Sequence, residues 1–116
     1  MAFKIKDGTG LTPERIAQCM DIDYIRFCCV RGLSGKPEFY CGITNDMDAN
    51  YSRHKNTEYE GEDFEYVSIY QCEDAETAAK VEEVMRQKKF DCGSTTTFGN
   101  GGAEDSVFVY MFKKPN

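Results

Sequence analysis

Two stretches of the chain carry side chains whose types and spacing could do chemistry. In the first, Tyr40 is followed by Gly42 and Thr44 and, fourteen positions after the tyrosine, by His54, the one histidine of the sequence. In the second, Glu82 falls within the apolar stripe of a predicted helix. A carboxylate inside such a stripe is costly unless something pairs with it, and phenol, imidazole and carboxylate groups all take part in proton transfer. These three are candidate site residues; the alternative is a core aromatic, a structural histidine and an edge acid that reaches solvent.

Residues 39–54 closely resemble the second half of the GIY-YIG nuclease signature, in which Tyr-x-Gly-x-Thr leads into a helix that carries an Arg and, one turn later, a His. By the family's spacing, Cys29 stands where the tyrosine of the first half is expected, and Asn50 stands where the Arg is expected. Glu82 ends an Ala-x-x-x-Glu run and so matches the family's metal-binding Glu. Asn100 is a weak match to a late Asn of some members. The resemblance covers a little over half of the chain.

This resemblance implies a metal-dependent DNA endonuclease. In the family, a Tyr or His helps to deprotonate the attacking water, one divalent ion on the Glu polarises the phosphate, and the Arg stabilises the charge that builds there. Tyr40, His54 and Glu82 match the first two roles, and Mg²⁺ or Mn²⁺ is the implied cofactor. Asn50 cannot supply a positive charge, and losing one such stabiliser costs about 10² to 10³ in rate. Arg53 is the candidate substitute, although its direction on the helix differs from that of Asn50 by about 60°.

Three hypotheses follow for the function. The favoured one is a GIY-YIG-fold domain with a degenerate active site that binds a protein partner, as an inhibitor or accessory protein of a kind that a phage could encode. The first alternative is an active, divergent, metal-dependent endonuclease whose partner is DNA. The second alternative is an unrelated α+β interaction module, in which the side chains of Tyr40, His54 and Glu82 do not converge.

Composition favours a protein partner over nucleic acid. The chain of 116 residues has a net charge of -6 and a pI of about 4.8, whereas domains that bind nucleic acid usually present a basic surface. No apolar run reaches the roughly 18 residues that a membrane helix needs, and the first residues lack the apolar stretch of a signal peptide. We therefore expect a cytoplasmic protein with no membrane partner. The six cysteines lack a Cys-x-x-Cys pair, which favours buried free thiols over a zinc site or disulfides.

The pattern of apolar and turn-forming residues predicts an α+β fold in a single domain over residues 1–116. We expect a small mixed or antiparallel sheet flanked by helices, with a GIY-YIG-like β-β-α-β-α core at about residues 25–92, an added N-terminal strand and helix, and a C-terminal strand. The predicted elements are a strand in residues 1–11, a helix from Thr12 to about Asp21, a strand at Tyr24–Val30, a hairpin loop at Gly32–Pro37, a strand at Glu38–Ile43, a helix at Met47–Lys55, a strand at Phe64–Cys72, a helix from Glu73 to about Phe90, a turn at Gly99–Gly102 and a strand at Ser106–Lys113.

Two further expectations concern surfaces. The last strand is apolar throughout, which predicts cover on both faces; if it has an open edge, it could pair with a second copy to form a homodimer. Asn50 is expected near an open cleft, so that Asn50→Arg should be tolerated by the fold.

Overall fold

A computed structural model describes residues 3–92 and 106–115. These residues form four strands and three α-helices in alternation: β1 (Lys6–Asp7), α1 (Pro13–Arg31), β2 (Phe39–Thr44), α2 (Met47–Arg53), β3 (Tyr66–Gln71), α3 (Ala75–Gln87) and β4 (Phe108–Lys113). A short 3-10 turn (Lys36–Glu38) precedes β2, and a π-helical segment (His54–Glu58) follows α2. Asn100 and the turn predicted at Gly99–Gly102 lie outside the described residues.

Residues 24–30 belong to helix α1 and do not form the predicted strand. The helix begins where expected, because the Thr12 hydroxyl accepts a backbone hydrogen bond of 3.1 Å and Pro13 occupies the first helical position. It continues past Asp21, since no Gly or Pro interrupts the sequence before Gly32. An apolar run of this length cannot be assigned to helix or strand by periodicity alone, which is why the prediction was wrong.

The hairpin predicted at Gly32–Pro37 is also absent, because helix α1 and not a strand ends at Gly32. Gly32 adopts φ +107°, and its N–H donates to the carbonyl of Cys28 at 2.9 Å. Residues 32–37 therefore connect a helix to β2. Cys29, which lies within α1 directly after Cys28, is exposed to solvent. The α+β class with a small mixed sheet is confirmed. The first hairpin of the β-β-α-β-α core predicted over residues 25–92 is not made by this part of the chain.

Strand β4 lies in the interior of the sheet, whose strand order is β1-β3-β4-β2. It runs antiparallel to both β2 and β3, while β1 adds a parallel pairing of two residues to the end of β3. Its four middle residues are buried, as the prediction of cover on both faces requires. Because both edges of β4 are paired, this strand does not have the open edge that pairing with a second copy would require.

The sheet separates two apolar clusters. On one face, which we call the α1/α3 face, Cys41 and Ile43 of β2 and Met111 of β4 pack with residues of helices α1 and α3. The alternate residues of the same strands point to the other side, the α2 face. There Tyr110 and Phe112 pack with Met47 of α2 and with half-buried aromatic rings of Phe3, Tyr40, Tyr59, Phe64, Tyr66 and Phe108. The α2 face holds most of the motif residues.

Candidate functional site

The strand, turn and helix that carry the motif form as predicted. Asp46 caps α2, since its carboxylate accepts the backbone N–H of Ala49 at 3.1 Å. The Thr44 hydroxyl accepts the N–H of Asp46 at 3.2 Å and so fixes the turn that leads from β2 into the helix. At His54 the backbone changes from α-helical to π-helical, a local irregularity that is frequent at functional sites. This geometry brings Asn50 and His54 over the end of the sheet that carries Tyr40.

Four side chains on the α2 face form one continuous set of hydrogen bonds, which we call the hydroxyl–amide chain. The Tyr66 hydroxyl donates to Oδ1 of Asn50 at 2.8 Å. The Asn50 amide nitrogen donates to the Tyr110 hydroxyl at 3.2 Å. That hydroxyl lies 2.9 Å from Nε2 of His54. Each of these three hydrogen bonds has one donor and one acceptor when the Tyr110 hydroxyl donates its proton to Nε2 of a neutral His54.

Gly42 makes room for this arrangement. Tyr110 lies directly across the ladder from it, in the pairing of β4 with β2. A Cβ atom at position 42 would lie 2.5 Å from the Tyr110 hydroxyl oxygen and 2.8 Å from Cζ of the same ring. No side chain fits in that space, so the glycine of the Tyr-x-Gly-x-Thr motif is required by the tyrosine of β4.

Three of the four side chains in the hydroxyl–amide chain are closed off from solvent, and Tyr66 is half-buried. His54 is 0 % exposed, and Asn50 and Tyr110 are each 2 % exposed. The ring of Tyr40 lies against His54 with centroids 5.2 Å apart, and further aromatic rings pack around the imidazole, namely those of Tyr59, Phe64 and Phe112. In this environment the hydrogen bonds between the polar side chains offset part of the cost of burying them.

Burial raises the pKa of Tyr66 and Tyr110 well above the ordinary value of a tyrosine, because a phenolate would be poorly solvated there. The guanidinium of Arg53 acts in the opposite direction on both pKa values but does not outweigh burial. Both hydroxyls are therefore neutral at physiological pH and serve as hydrogen-bond donors. The side chain of Arg53 itself is half-buried beside the hydroxyl–amide chain.

Glu82 lies on the opposite face of the sheet. Helix α3 packs its buried residues into the cluster of the α1/α3 face, so Glu82 is separated by the sheet from Tyr40 and His54. Its side chain is 19 % exposed, and burial raises its pKa to about 7, while Arg86 at 3.7 Å acts to lower it. Burial is the main cause of the raised pKa of the Cys41 thiol, and the charge of Glu82 raises that pKa further.

The neighbours of Glu82 do not fit the divalent ion that the resemblance implies. Mg²⁺ and Mn²⁺ prefer several oxygen ligands, whereas Glu82 lies beside a guanidinium and near the thiol of Cys41. Within the described residues, no group of three or more His, Cys, Asp and Glu side chains is placed to hold a metal ion.

The structure thus assembles some of the predicted site residues and separates the others. Tyr40, Asn50 and His54 meet on the α2 face, with Arg53 at its margin. Cys29 is exposed near the end of α1, and Glu82 is on the far face.

Sequence reasoning missed Tyr66 and Tyr110, which complete the hydroxyl–amide chain. Both are tyrosines in apolar strands, and only the folded arrangement of β3, β4 and α2 shows that both hydroxyls reach the amide of Asn50. The motif itself held one signal, because a glycine inside a strand, here Gly42, indicates that a neighbouring group approaches that strand closely.

Comparisons of the chain with protein-family models, with curated proteins and with solved structures found no match. In the part of the chain that the structure describes, no helix is both long and apolar enough to cross a membrane.

Proposed function

We propose that this chain is a GIY-YIG-like domain with a degenerate active site, and that it acts by binding a protein partner with little or no nuclease activity. The observation that carries the proposal is the burial of the motif residues. A general base must reach the water that it deprotonates, yet His54 has no exposed surface and is enclosed by aromatic rings.

The residue at the family's Arg position supports the same function. Asn50 is buried, and its amide is bonded on both sides, to Tyr66 and to Tyr110. A guanidinium in its place would bring an uncompensated charge into an aromatic core, which is strongly unfavourable. An Asn at the family's Arg position is therefore what we expect if the motif serves packing in this chain.

The position of Glu82 adds a second argument. In a nuclease of this kind the metal ion and the general base act on the same phosphate. The sheet lies between Glu82 and the pair formed by Tyr40 and His54, so these three residues cannot contact one phosphate together. The net charge of -6 also favours a protein partner over nucleic acid.

Two observations favour the alternative of an active, divergent endonuclease that acts on DNA with Mg²⁺ or Mn²⁺. Tyr40 and His54 do meet, with ring centroids 5.2 Å apart. Arg53 is close enough to affect the pKa of Tyr110, so a cation is present at the margin of the site. The alternative requires the α2 face to open so that these groups reach the substrate.

Cleavage of supercoiled plasmid tests the proposal. Wild type, Glu82→Ala and Tyr40→Phe are incubated with Mg²⁺ and with Mn²⁺, with Glu83→Ala as the matched control from the same helix. We expect no cutting by any of the four proteins. Cutting by wild type and by Glu83→Ala that is lost in Glu82→Ala or in Tyr40→Phe would establish a working nuclease and contradict the proposal.

A further inference from the structure

The outer edge of β3 is open over most of its length. Strand β1 pairs only with Tyr70 and Gln71 at the end of β3, and β4 occupies the other edge. Over residues 66–69, no strand of the described chain pairs with the outer edge. An unpaired edge presents backbone N–H and C=O groups that another extended chain can match.

A cleft with a volume of about 620 Å³ lies along this edge. Its walls are the segment of residues 3–6, the second half of α1 and residues 64–69. The apolar part of the wall includes Phe27, Val30 and Val67. Val30 is 79 % exposed, so a bound chain would cover an apolar side chain that now faces solvent.

The rim of the cleft is basic, although the whole chain is acidic. Four cationic side chains line it: Lys4, Lys6, Arg26 and Arg31. Two of them are already engaged, since Lys6 pairs with Asp23 at 2.9 Å and Arg31 pairs with Glu65 at 3.3 Å. Asp23 also accepts a hydrogen bond from the buried Ser68 hydroxyl at 2.7 Å, so its carboxylate is engaged by two donors within the domain. None of the ion pairs among the described residues includes Lys4 or Arg26.

We propose that this cleft binds an extended, acidic segment of a partner protein, which adds to the open edge of β3 as a further strand. Backbone hydrogen bonds to residues 66–69 provide affinity, as in other cases of strand addition. Alternate side chains of the added strand point to opposite sides, so one set meets Val30 and Phe27 while carboxylates meet Lys4 and Arg26. This inference rests on the proposed protein-binding function and names its surface and the chemistry of the partner.

A peptide fits this cleft better than a single-stranded nucleic acid. Nucleic acid strands bind without sequence preference mainly through stacking of bases on aromatic faces and through tracks of cations. The aromatic rings that border the cleft are those of Phe3, Phe27, Phe64 and Tyr66, and all four are half-buried in the packing of the domain. The open backbone edge, by contrast, matches only another extended polypeptide.

Selection from a random dodecapeptide library displayed on phage, against the full chain, tests the proposal. We expect the selected peptides to be rich in Asp and Glu and poor in Pro, because Pro cannot donate a backbone hydrogen bond. The Lys4→Glu/Arg26→Glu double variant should weaken the Kd of the best peptide at least tenfold. The matched control, Arg15→Glu/Lys80→Glu, reverses two exposed cations elsewhere and should leave the Kd within twofold. Thermal melts establish that both variants are folded.

Three outcomes would overturn the inference: no enrichment of acidic sequences, an equal loss of affinity in the control variant, or a twelve-residue oligothymidylate that competes for the cleft with a lower Kd than the best peptide. The plasmid assay separates these failures from failure of the proposed function. If wild type does not cut DNA and the library yields no acidic peptides, the cleft is excluded as the surface while the protein-binding proposal stands. If wild type cuts in the manner of a nuclease, the proposed function itself fails.

Discussion

The two faces of the sheet differ in where their polar side chains lie. On the α2 face, Asn50, His54 and Tyr110 are buried together and are linked to one another through hydrogen bonds. On the α1/α3 face, the core is built from aliphatic side chains, aromatic rings and thiols, and the carboxylate of Glu82 is held at its margin beside Arg86. The difference shows that a nuclease-like spacing of residues can be maintained by packing demands, because each motif residue on the α2 face has a structural partner.

The largest effect that we expect comes from a charge on the α2 face. Asn50→Arg should lower the free energy of unfolding by about 3 to 5 kcal/mol, because it buries an unpaired guanidinium and removes the partner of two tyrosine hydroxyls. This reverses the sequence-based expectation that the substitution is tolerated, since Asn50 is 2 % exposed. Urea unfolding at pH 7 measures the change.

Ser52→Arg is the matched control for that experiment, because position 52 is exposed in the last turn of the same helix, where a cation does not oppose the helix dipole. It should change the free energy of unfolding by less than about 0.5 kcal/mol. If Asn50→Arg unfolds at the same urea concentration as wild type, then position 50 faces an open cleft, and the contrast between the two faces is lost.

Gly42→Ala tests the fit between β2 and β4 on the same face. The new methyl group would overlap the Tyr110 hydroxyl, and overpacking of this kind costs about 2 to 3 kcal/mol. Gly35→Ala is the control, since its Cβ would have only an ordinary contact of 3.6 Å with Pro37. Thermal and urea unfolding of both variants measure the difference. Equal stabilities would mean that Tyr110 does not lie over Gly42.

On the opposite face, Glu82 should make stability depend on pH. Burial raises its pKa from 4.5 to about 7 in the folded chain, so between these values the folded state keeps a proton that the unfolded state has lost. Stability therefore falls as the pH rises from about 4.5 to 7. Glu82→Gln should remove this dependence and raise the free energy of unfolding at pH 8 by about 2 kcal/mol.

Urea unfolding of wild type and Glu82→Gln at pH 5 and pH 8 measures this effect. Glu83→Gln is the control, because Glu83 is exposed on the same helix. A wild-type stability that stays level or rises over this range of pH, with Glu82→Gln following it, would show that Glu82 is well solvated and charged in the folded state.

A smaller effect tests the continuity of the hydroxyl–amide chain. Tyr66→Phe removes the donor to Asn50 and should cost about 1 kcal/mol. Because Tyr66 and Tyr110 share Asn50, the double variant with Tyr110→Phe should deviate from additivity by about 0.5 to 1 kcal/mol in a double-mutant cycle. Strict additivity would mean that the two tyrosines act independently.

The smallest effect is expected at Cys29, outside both faces. It is exposed on α1, so Cys29→Ser should change the free energy of unfolding by less than about 0.5 kcal/mol. In wild type one thiol should react rapidly with a thiol-specific reagent, and Cys29→Ser should remove that phase. The buried thiols of Cys28, Cys41, Cys72 and Cys92 should react only after unfolding. If Cys29→Ser leaves the amplitude of the rapid phase unchanged, Cys29 is not accessible to the reagent in the folded chain.

Local signals in the sequence predicted much of the fold. The caps at Thr12 and Asp46 mark the starts of two helices, and the apolar character of β4 indicates an interior strand. The apolar part of α1 was misread, because residues 24–30 pack some side chains inward and leave others exposed, so that no clear helical stripe appears. The candidate site was predictable only within the continuous run from Tyr40 to His54.

The remaining features depend on contacts between residues that are far apart in sequence. Glu82 lies within the apolar stripe of α3 and its side chain is 19 % exposed, but the stripe alone cannot say which face of the sheet α3 covers. Likewise, Tyr110 is sixty positions from Asn50, and their hydrogen bond depends on the pairing of β4 with β2. The burial of Asn50 follows from that pairing and was therefore not visible in the motif.

The most direct test of the account is the reactivity of His54 towards diethyl pyrocarbonate, because the chain contains no other histidine. The absorbance of the modified imidazole at pH 7 is followed for the folded protein, for the protein in urea and for N-acetylhistidine. We expect almost no modification of the folded protein and full modification in urea, since His54 is 0 % exposed. Modification of the folded protein at a rate close to that of N-acetylhistidine would show an open site and contradict the claim that the motif is a buried structural element.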